Sequence, residues 1–199
     1  MKLGIISYSS SNTANVKRLF NHINSSLRIE DVFDVNHKID FLILPGVGNF
    51  EFVLDELEER NFLPENISNN FPKILGICLG MHIMQNDSQE SKTVSRSGWG
   101  IFNNSVKSLS FLGCKRSVHT GWNYVKFVEK ASSYLNGYYY FSHSYAINWS
   151  GHEDEKAFYI IEDKKFVAVI QKNNRIGVQF HPELSGRIGI KFVSQVLGL

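Results

Sequence analysis

Gly76-Ile77-Cys78-Leu79-Gly80 stands between two segments of different hydrophobic pattern. The residues before it, 71–75, form a short apolar run that predicts a β-strand. The residues after it, 81–85, fit the first turn of a helix. The stretch therefore predicts a strand, a sharp turn and a helix, with Cys78 on the turn.

Cys78 has the neighbours that a nucleophile on such a turn needs. The backbone doubles back there, so the flanking residues must be small, and Gly76 and Gly80 meet that need. A helix N-terminus also offers unpaired N–H groups and a dipole that favour a thiolate. The N–H of Leu79 would point to an oxyanion formed on attack. The alternative, a small buried structural cysteine, is disfavoured by the two glycines.

A second motif supplies the base that a nucleophilic thiol requires. Residues 176–180 predict a strand that ends at His181-Pro182-Glu183. The proline fixes the backbone between the two functional side chains and ends the strand, so both are presented rigidly. A His-Pro-Glu tripeptide alone is a weak signal, but it gains weight beside the cysteine turn. We predict a triad in which Cys78 attacks, His181 transfers the proton and Glu183 orients the imidazole.

Several motifs in series resemble the class I glutamine amidotransferases. They are Leu44-Pro45-Gly46-Val47-Gly48, Gly76-Ile77-Cys78-Leu79-Gly80-Met81 and Gln179-Phe180-His181-Pro182-Glu183. Within that group, the loop at 45–48 and the runs at 119–123 and 139–145 are similar to the glutaminase subunits of imidazole glycerol phosphate synthase, the histidine-pathway enzyme. The resemblance covers nearly the whole chain. It implies an α/β fold with an open, mostly parallel sheet flanked by helices and additional antiparallel strands.

The resemblance also implies roles for individual residues. A second oxyanion donor would come from the loop at Val47 and Gly48, which would act beside Leu79. The residues assigned to contact with glutamine are Gly46, His82, Ser144 and Tyr145. The residues assigned to the partner interface are Asn12, Trp122 and Tyr140.

The reaction implied by the resemblance is hydrolysis of L-glutamine to glutamate and ammonia through a glutamyl thioester on Cys78. The ammonia would pass to a separate synthase subunit, because a chain of this size has no room for an acceptor domain. In the resembling family that partner is a (β/α)8 barrel that forms a heterodimer with the glutaminase. The glutaminase step needs no cofactor.

Departures from the usual family pattern keep one alternative open, and a second comes from another functional class. The first loop, 7–12, is rich in serine instead of glycine, and His82 stands where most members have glutamine. An imidazole keeps one hydrogen bond but not both the donor and the acceptor of the amide. A paralogous glutaminase that feeds a sugar-modifying, acetamidino-forming synthase would share the chemistry. A non-catalytic binding subunit would share the fold, but the intact triad argues against it.

Composition limits the remaining possibilities. The 199 residues, 43% of them hydrophobic, predict one globular domain over 1–199. The 21 basic and 19 acidic residues give a net charge of +2, so we expect no nucleic-acid binding. The start, residues 1–8, is too short and too soon polar for a signal peptide or a membrane span, so we expect a cytoplasmic protein without membrane attachment.

The cysteines and histidines predict neither a disulfide nor a metal site. In an intracellular chain, Cys78 and Cys114 are expected to be reduced, with Cys114 structural. The seven histidines show neither of the spacings, Cys-x-x-Cys or His-x-x-x-His, that common zinc sites use.

Apolar periodicity predicts the other elements. The first part of the chain alternates strands and helices, with a clear strand at 40–44. Short alternating and aromatic runs between 99 and 171 predict antiparallel strands added to the parallel core. The polar segment 86–97 predicts a surface loop, and 189–197 predicts a closing helix with Ser185 as its cap.

Overall fold

The computed structural model describes residues 1–9, 11, 13–90 and 97–199. Its helices are α1 Thr13–Ile23, α2 Phe50–Glu59, α3 Pro64–Asn70, α4 Leu79–Ile83 and α5 Gly186–Leu197. Its strands are β1 Lys2–Ile6, β2 Arg28–Val32, β3 Phe41–Leu44, β4 Ile74–Ile77, β5 Gln85–Ser88, β6 Phe102–Ser108, β7 His119–Phe127, β8 Gly137–His143, β9 Tyr145–Ala146, β10 Glu155–Ile161, β11 Lys164–Lys172 and β12 Arg175–Val178. Short 3-10 helices cover Lys130–Leu135 and Pro182–Leu184. Within these described ranges, no helix has the length and apolar character that crossing a membrane requires.

The larger sheet has a parallel half and an antiparallel half. Its strand order is β2-β1-β3-β4-β12-β11-β10-β7-β8. Neighbours from β2 to β12 pair in parallel, and neighbours from β12 to β8 pair antiparallel. A smaller sheet contains β5, β6 and β9. The predicted α/β class, with a parallel core, flanking helices and added antiparallel strands, is confirmed.

Helices cover both faces of the parallel half. Strand β1 contributes to both faces, with Leu3 and Ile5 in one apolar cluster and Ile6 in the other. Buried side chains of α1 and α5 belong to the first cluster, and those of α2, α3 and α4 to the second. Because β3 and β4 are buried on both faces, they are continuous apolar runs and not alternating ones.

The pairing of β4 with β12 aligns two strand ends from distant parts of the chain. Gly76 pairs with Gly177, and the Cys78 amide donates to the Val178 carbonyl oxygen at 2.7 Å. Since the strands are parallel, their carboxyl ends meet at one edge of the sheet, where open α/β sheets bind ligands. The register therefore places Cys78 beside Gln179.

Two predictions from local pattern were wrong in part. The segment 86–97 is not wholly a loop, because β5 pairs in parallel with β6; residues 91–96 lie outside the described part. Strand β5 lacks the apolar alternation that would have revealed it. Ser185 occupies the N-cap position of α5, but its side chain makes no capping bond to the helix. Its hydroxyl donates to the His181 carbonyl oxygen and accepts from the Tyr140 amide instead.

Candidate active site

Cys78 occupies the turn between β4 and α4 in a strained backbone conformation. Its φ of 49° and ψ of −104° lie where residues other than glycine are rare. A β-carbon on Gly76 would stand 2.7 Å from the Gly80 carbonyl carbon, and one on Gly80 would collide with the Leu44 carbonyl oxygen. Because the obstructing atoms include backbone, only glycine fits on either side of the cysteine.

His181 and Glu183 follow the neighbouring strand, β12. His181 Nδ1 lies 2.8 Å from Glu183 Oε1, and both side chains are buried. Burial alone would lower the pKa of His181, but the charge of Cys78 and hydrogen bonds to Cys78 and Glu183 outweigh it and raise that pKa to about 10. The imidazole therefore carries a proton at neutral pH beside the Cys78 sulfur.

The backbone of His181 is fixed by strand β8 and by the start of α5. Its amide donates to the Tyr140 carbonyl oxygen at 2.8 Å. Its carbonyl oxygen accepts from the Ser185 hydroxyl at 2.6 Å and from the Leu184 amide at 3.1 Å. These bonds hold the backbone of His181 in place, while the contact with Glu183 orients its ring.

Gln179 is a functional candidate that the sequence analysis missed. Its buried side-chain Nε2 lies 3.6 Å from Cys78 Sγ, and its Oε1 lies 2.9 Å from His82 Nε2. Burial lowers the pKa of His82 to about 4, so a neutral ring donates through Nε2 to the amide oxygen. His82 thereby orients the amide group that donates to the sulfur. Only the β4–β12 register reveals this contact, because the two residues are far apart in the chain.

The loop after β3 forms another wall of the site. A β-carbon on Gly46 would collide with the backbone of β4. The hydroxyl of buried Tyr8 donates to the Pro45 carbonyl oxygen at 2.5 Å. Beyond this anchor, Val47 is exposed and Gly48 has a φ of 138°, which glycine adopts at low cost. Tyr8 therefore anchors the start of the loop, through the Pro45 carbonyl oxygen and through a backbone hydrogen bond from Val47.

These groups surround an open pocket of about 450 Å³. Its walls bring together Cys78, His181 and Glu183 with the oxyanion candidates Leu79, Val47 and Gly48. The predicted glutamine contacts Gly46, His82, Ser144 and Tyr145 line it as well. The tertiary structure thus collects ten residues from four separate stretches of the sequence around one cavity.

Glu90 adds a carboxylate that the sequence analysis did not anticipate. It lines the pocket, and its Oε1 accepts from the Phe50 amide at 3.2 Å. Burial raises the pKa of Glu90, while the Phe50 bond opposes that effect. The polar segment that contains it carries no motif, so only its position in space marks it as a possible ligand for an ammonium group.

Two of the three residues predicted at a subunit interface, Trp122 and Tyr140, form an aromatic pair at the pocket rim. They are cross-strand neighbours on β7 and β8, with ring centroids 6.0 Å apart. Trp122 is 56% exposed, and Tyr140 lines the pocket. Tyr124 and Tyr138 form a second exposed pair, 5.3 Å apart. Asn12, the third predicted interface residue, lies outside the described residues.

No cluster of three or more His, Cys, Asp or Glu side chains suited to a metal ion occurs in the part of the chain that the structure describes. The site contains a cysteine, a charged histidine and a carboxylate, which are the side chains that nucleophilic acyl transfer uses.

Comparisons with known proteins identify relatives over nearly the whole chain. The family model for glutamine amidotransferase class-I matches residues 4–194. The imidazole glycerol phosphate synthase subunit HisH of Methanopyrus kandleri is 34% identical, over 99% of this chain and 98% of that protein. The subunit of the same name from Methanocaldococcus jannaschii is 32% identical, over 99% of each chain. A crystal structure of a glutamine amidotransferase shares the fold, with a TM-score of 0.74 at 13% identity over 99% of both chains.

Proposed function

This chain belongs to the glutamine amidotransferase class-I family, and we propose that Cys78, His181 and Glu183 perform its glutamine hydrolysis. It is the glutaminase subunit of imidazole glycerol phosphate synthase in histidine biosynthesis, as its full-length similarity to HisH relatives indicates. These names favour the histidine-pathway acceptor over the sugar-modifying synthase. The observation that carries the proposed catalytic roles is the 2.8 Å contact between His181 and Glu183 in the pocket that Cys78 lines.

The first half-reaction transfers the glutamyl group to the enzyme. The Cys78 sulfur attacks the side-chain amide carbon of glutamine and forms a C–S bond. The carbonyl oxygen becomes an oxyanion, which the Leu79 amide and the loop at Val47 and Gly48 stabilise. Protonated His181 donates its proton to the amide nitrogen, the C–N bond breaks, and ammonia leaves.

The second half-reaction releases glutamate. His181, now neutral, takes a proton from water while the water oxygen attacks the thioester carbon. The tetrahedral intermediate collapses, the C–S bond breaks, and the Cys78 thiolate is restored beside protonated His181. Gln179 supports the thiolate through its N–H, since a hydrogen bond to an ionised acceptor is among the stronger ones.

The pocket also has groups suited to the α-amino end of glutamine. Glu90 places a carboxylate on the wall, where it would pair with the ammonium group. Ser144 and Tyr145 line the same pocket as Cys78 and would supply the remaining polar contacts to glutamine. A substrate held at both ends would present its amide carbon to Cys78 in one orientation.

We propose that a separate (β/α)8-barrel subunit receives the ammonia; the relatives' name, which makes each of them one subunit of a synthase, supports a separate partner. The exposed Trp122 and the half-buried Tyr140 at the pocket rim are suited to interface contacts, because aromatic side chains are enriched in interface cores. A partner seated on this rim would receive ammonia directly from the pocket and shield it from water.

Replacement of the nucleophile tests the reaction. Cys78→Ser is expected to reduce glutamine hydrolysis by roughly 10³-fold or more, since loss of a triad nucleophile removes most of the catalysis. Ammonium salt should still support the synthase reaction of the complex. Cys114→Ser, at the other free cysteine, is the matched control and should retain activity. Normal glutamine turnover by Cys78→Ser would overturn the assignment.

A further inference from the structure

We propose that Asn123, His119 and His143 form a one-way hydrogen-bond relay that positions Ser144 and Tyr145 for glutamine binding. The proposal rests on the proposed function, because it assigns positioning residues to that pocket. The triad uses neither histidine, yet both are buried beside the site and His143 lines the pocket. Two buried imidazoles in mutual contact are costly unless each nitrogen has a partner, so their bonds need a structural account.

The relay is continuous from strand β7 to the pocket wall. Asn123 Nδ2 lies 3.2 Å from His119 Nε2. His119 Nδ1 lies 3.0 Å from His143 Nε2, and His143 Nδ1 lies 2.9 Å from the Tyr145 carbonyl oxygen. The path starts at a partly exposed amide and ends at the backbone of a residue that lines the pocket.

The partners at the two ends determine where each proton lies. A carbonyl oxygen only accepts, so His143 must donate to Tyr145 from Nδ1. In a neutral ring its Nε2 then accepts, and His119 must donate from Nδ1. His119 Nε2 in turn accepts from the Asn123 amide nitrogen, which only donates. Each N–H therefore points from Asn123 towards the pocket, and no other arrangement of protons on neutral rings satisfies all three contacts.

The surrounding side chains hold the rings in place. His119 stacks on Tyr159, with ring centroids 5.6 Å apart and planes 7° apart, and it packs 5.0 Å from Phe141. The Tyr159 oxygen makes a longer contact, 3.2 Å, with His143 Nε2, whose one lone pair His119 reaches at 3.0 Å. Burial lowers the pKa of His119 to about 4 and that of His143 well below its ordinary range, so both rings are neutral, as the relay requires.

Asn123, the first residue of the relay, is bonded to the sheet next to the Trp122–Tyr140 pair. The second N–H of the Asn123 amide donates to the Ile160 carbonyl oxygen at 2.9 Å, which fixes Asn123 against β10. Its neighbour in sequence is Trp122, at the pocket rim. The relay therefore links the register of β7 to the backbone of Tyr145, a residue that lines the pocket.

Two substitutions at His143 separate positioning from a merely structural role. His143→Phe fills the space but removes the bond to Tyr145, whereas His143→Asn keeps a donor near the Nδ1 position. In the complex with the synthase, His143→Phe should raise the KM for glutamine about tenfold with kcat changed less than about threefold, from the loss of a buried hydrogen bond. His143→Asn should recover most of that loss. Calorimetric binding of glutamine to the same variants in a Cys78→Ser background gives a readout without turnover.

The far end of the relay has its own matched pair. Asn123→Leu should raise the KM about threefold, since it leaves His119 Nε2 without its donor. Asn103→Leu removes a strand asparagine whose side-chain bond is to Asn86 and not to the relay, and it should leave the KM unchanged. Thermal melting of each variant verifies folding. If His143→Phe does not fold, His143→Asn and Asn123→Leu carry the test.

Several results would overturn the relay. They are an unchanged KM in His143→Phe, an equal loss in His143→Phe and His143→Asn, and equal effects of Asn123→Leu and Asn103→Leu. A loss confined to kcat would also overturn it, because positioning of the bound substrate acts first on binding. Failure of the wild-type complex to hydrolyse glutamine would count against the proposed function instead, and the calorimetric comparison would still judge the relay.

Discussion

His82 is buried in the wall of the site, and its neighbours explain how an imidazole is accommodated there. Its Nε2 bonds to Gln179 Oε1, and the other end of that amide faces the Cys78 sulfur. Because the ring is buried and neutral, it brings no charge next to the nucleophile. His82 thus makes one hydrogen bond within the site, and that bond orients the Gln179 amide towards the Cys78 sulfur.

Glu183→Gln is expected to move the alkaline limb of the kcat/KM profile for glutamine to lower pH. Glu183 supplies a hydrogen bond and a negative charge that help to raise the pKa of His181 to about 10. Without the charge that pKa falls, so the proton needed by the leaving amine is lost at a lower pH. The limb is read from kcat/KM measured across the alkaline range. The total loss should be smaller than in His181→Ala, since the orienting residue is usually the most dispensable member of a triad. An unmoved limb would show that Glu183 does not set the charge of His181.

The β4–α4 element depends on close backbone approach more than on apolar burial. The chain leaves a buried strand, reverses at Cys78 and starts a helix within reach of the β3 backbone. Such strain persists only when the surrounding structure determines it strongly. Parallel pairing with both β3 and β12 supplies that support.

Gly80→Ala is therefore expected to destabilise the protein by roughly 1–3 kcal/mol or more, because overpacking forces the backbone to move. The added β-carbon would meet the Leu44 carbonyl oxygen, which cannot turn aside as a side chain could. Gly137→Ala is the control, since its β-carbon would lie 3.2 Å from a side-chain carbon of Ile188. Urea unfolding measures both. Equal stability of the two variants would refute the backbone-contact argument.

At the scale of the whole molecule, the pocket opens beside the aromatic side chains of β7 and β8 and beside the glycine-containing loop 46–48. Leu79 sits at a fixed helix start, whereas Gly48, with a φ of 138°, lies in a loop whose peptide orientation glycine leaves inexpensive to change. A synthase docked at this rim would contact that loop and complete the oxyanion site. Hydrolysis would then be coupled to the presence of an acceptor.

Turnover of glutamine by the isolated chain is accordingly expected to be on the order of 10²–10³ lower than in the complex with acceptor substrate, the usual cost of one missing oxyanion donor. Steady-state rates with and without the synthase measure the ratio. Trp122→Ala should weaken docking and raise the synthase concentration needed for stimulation, while Tyr134→Ala, an exposed tyrosine on a 3-10 helix, should not. Full activity of the isolated chain would contradict gating and leave the Cys78 mechanism intact.

The amino-acid sequence by itself determined the fold class, the cysteine turn and the His-Pro-Glu strand end. Each of these is encoded locally: glycine spacing permits the turn, and apolar runs bounded by proline or glycine define the strands. What only the tertiary structure decided depends on contacts between distant segments. Strand β5 is stabilised by pairing with β6, and Ser185 ties His181 to β8. Gln179 meets Cys78 through the register of two parallel strands, and Glu90 reaches the pocket from a segment with no motif. A linear pattern reports which side chains alternate along a strand, but sheet register and long-range hydrogen bonds determine which of them meet.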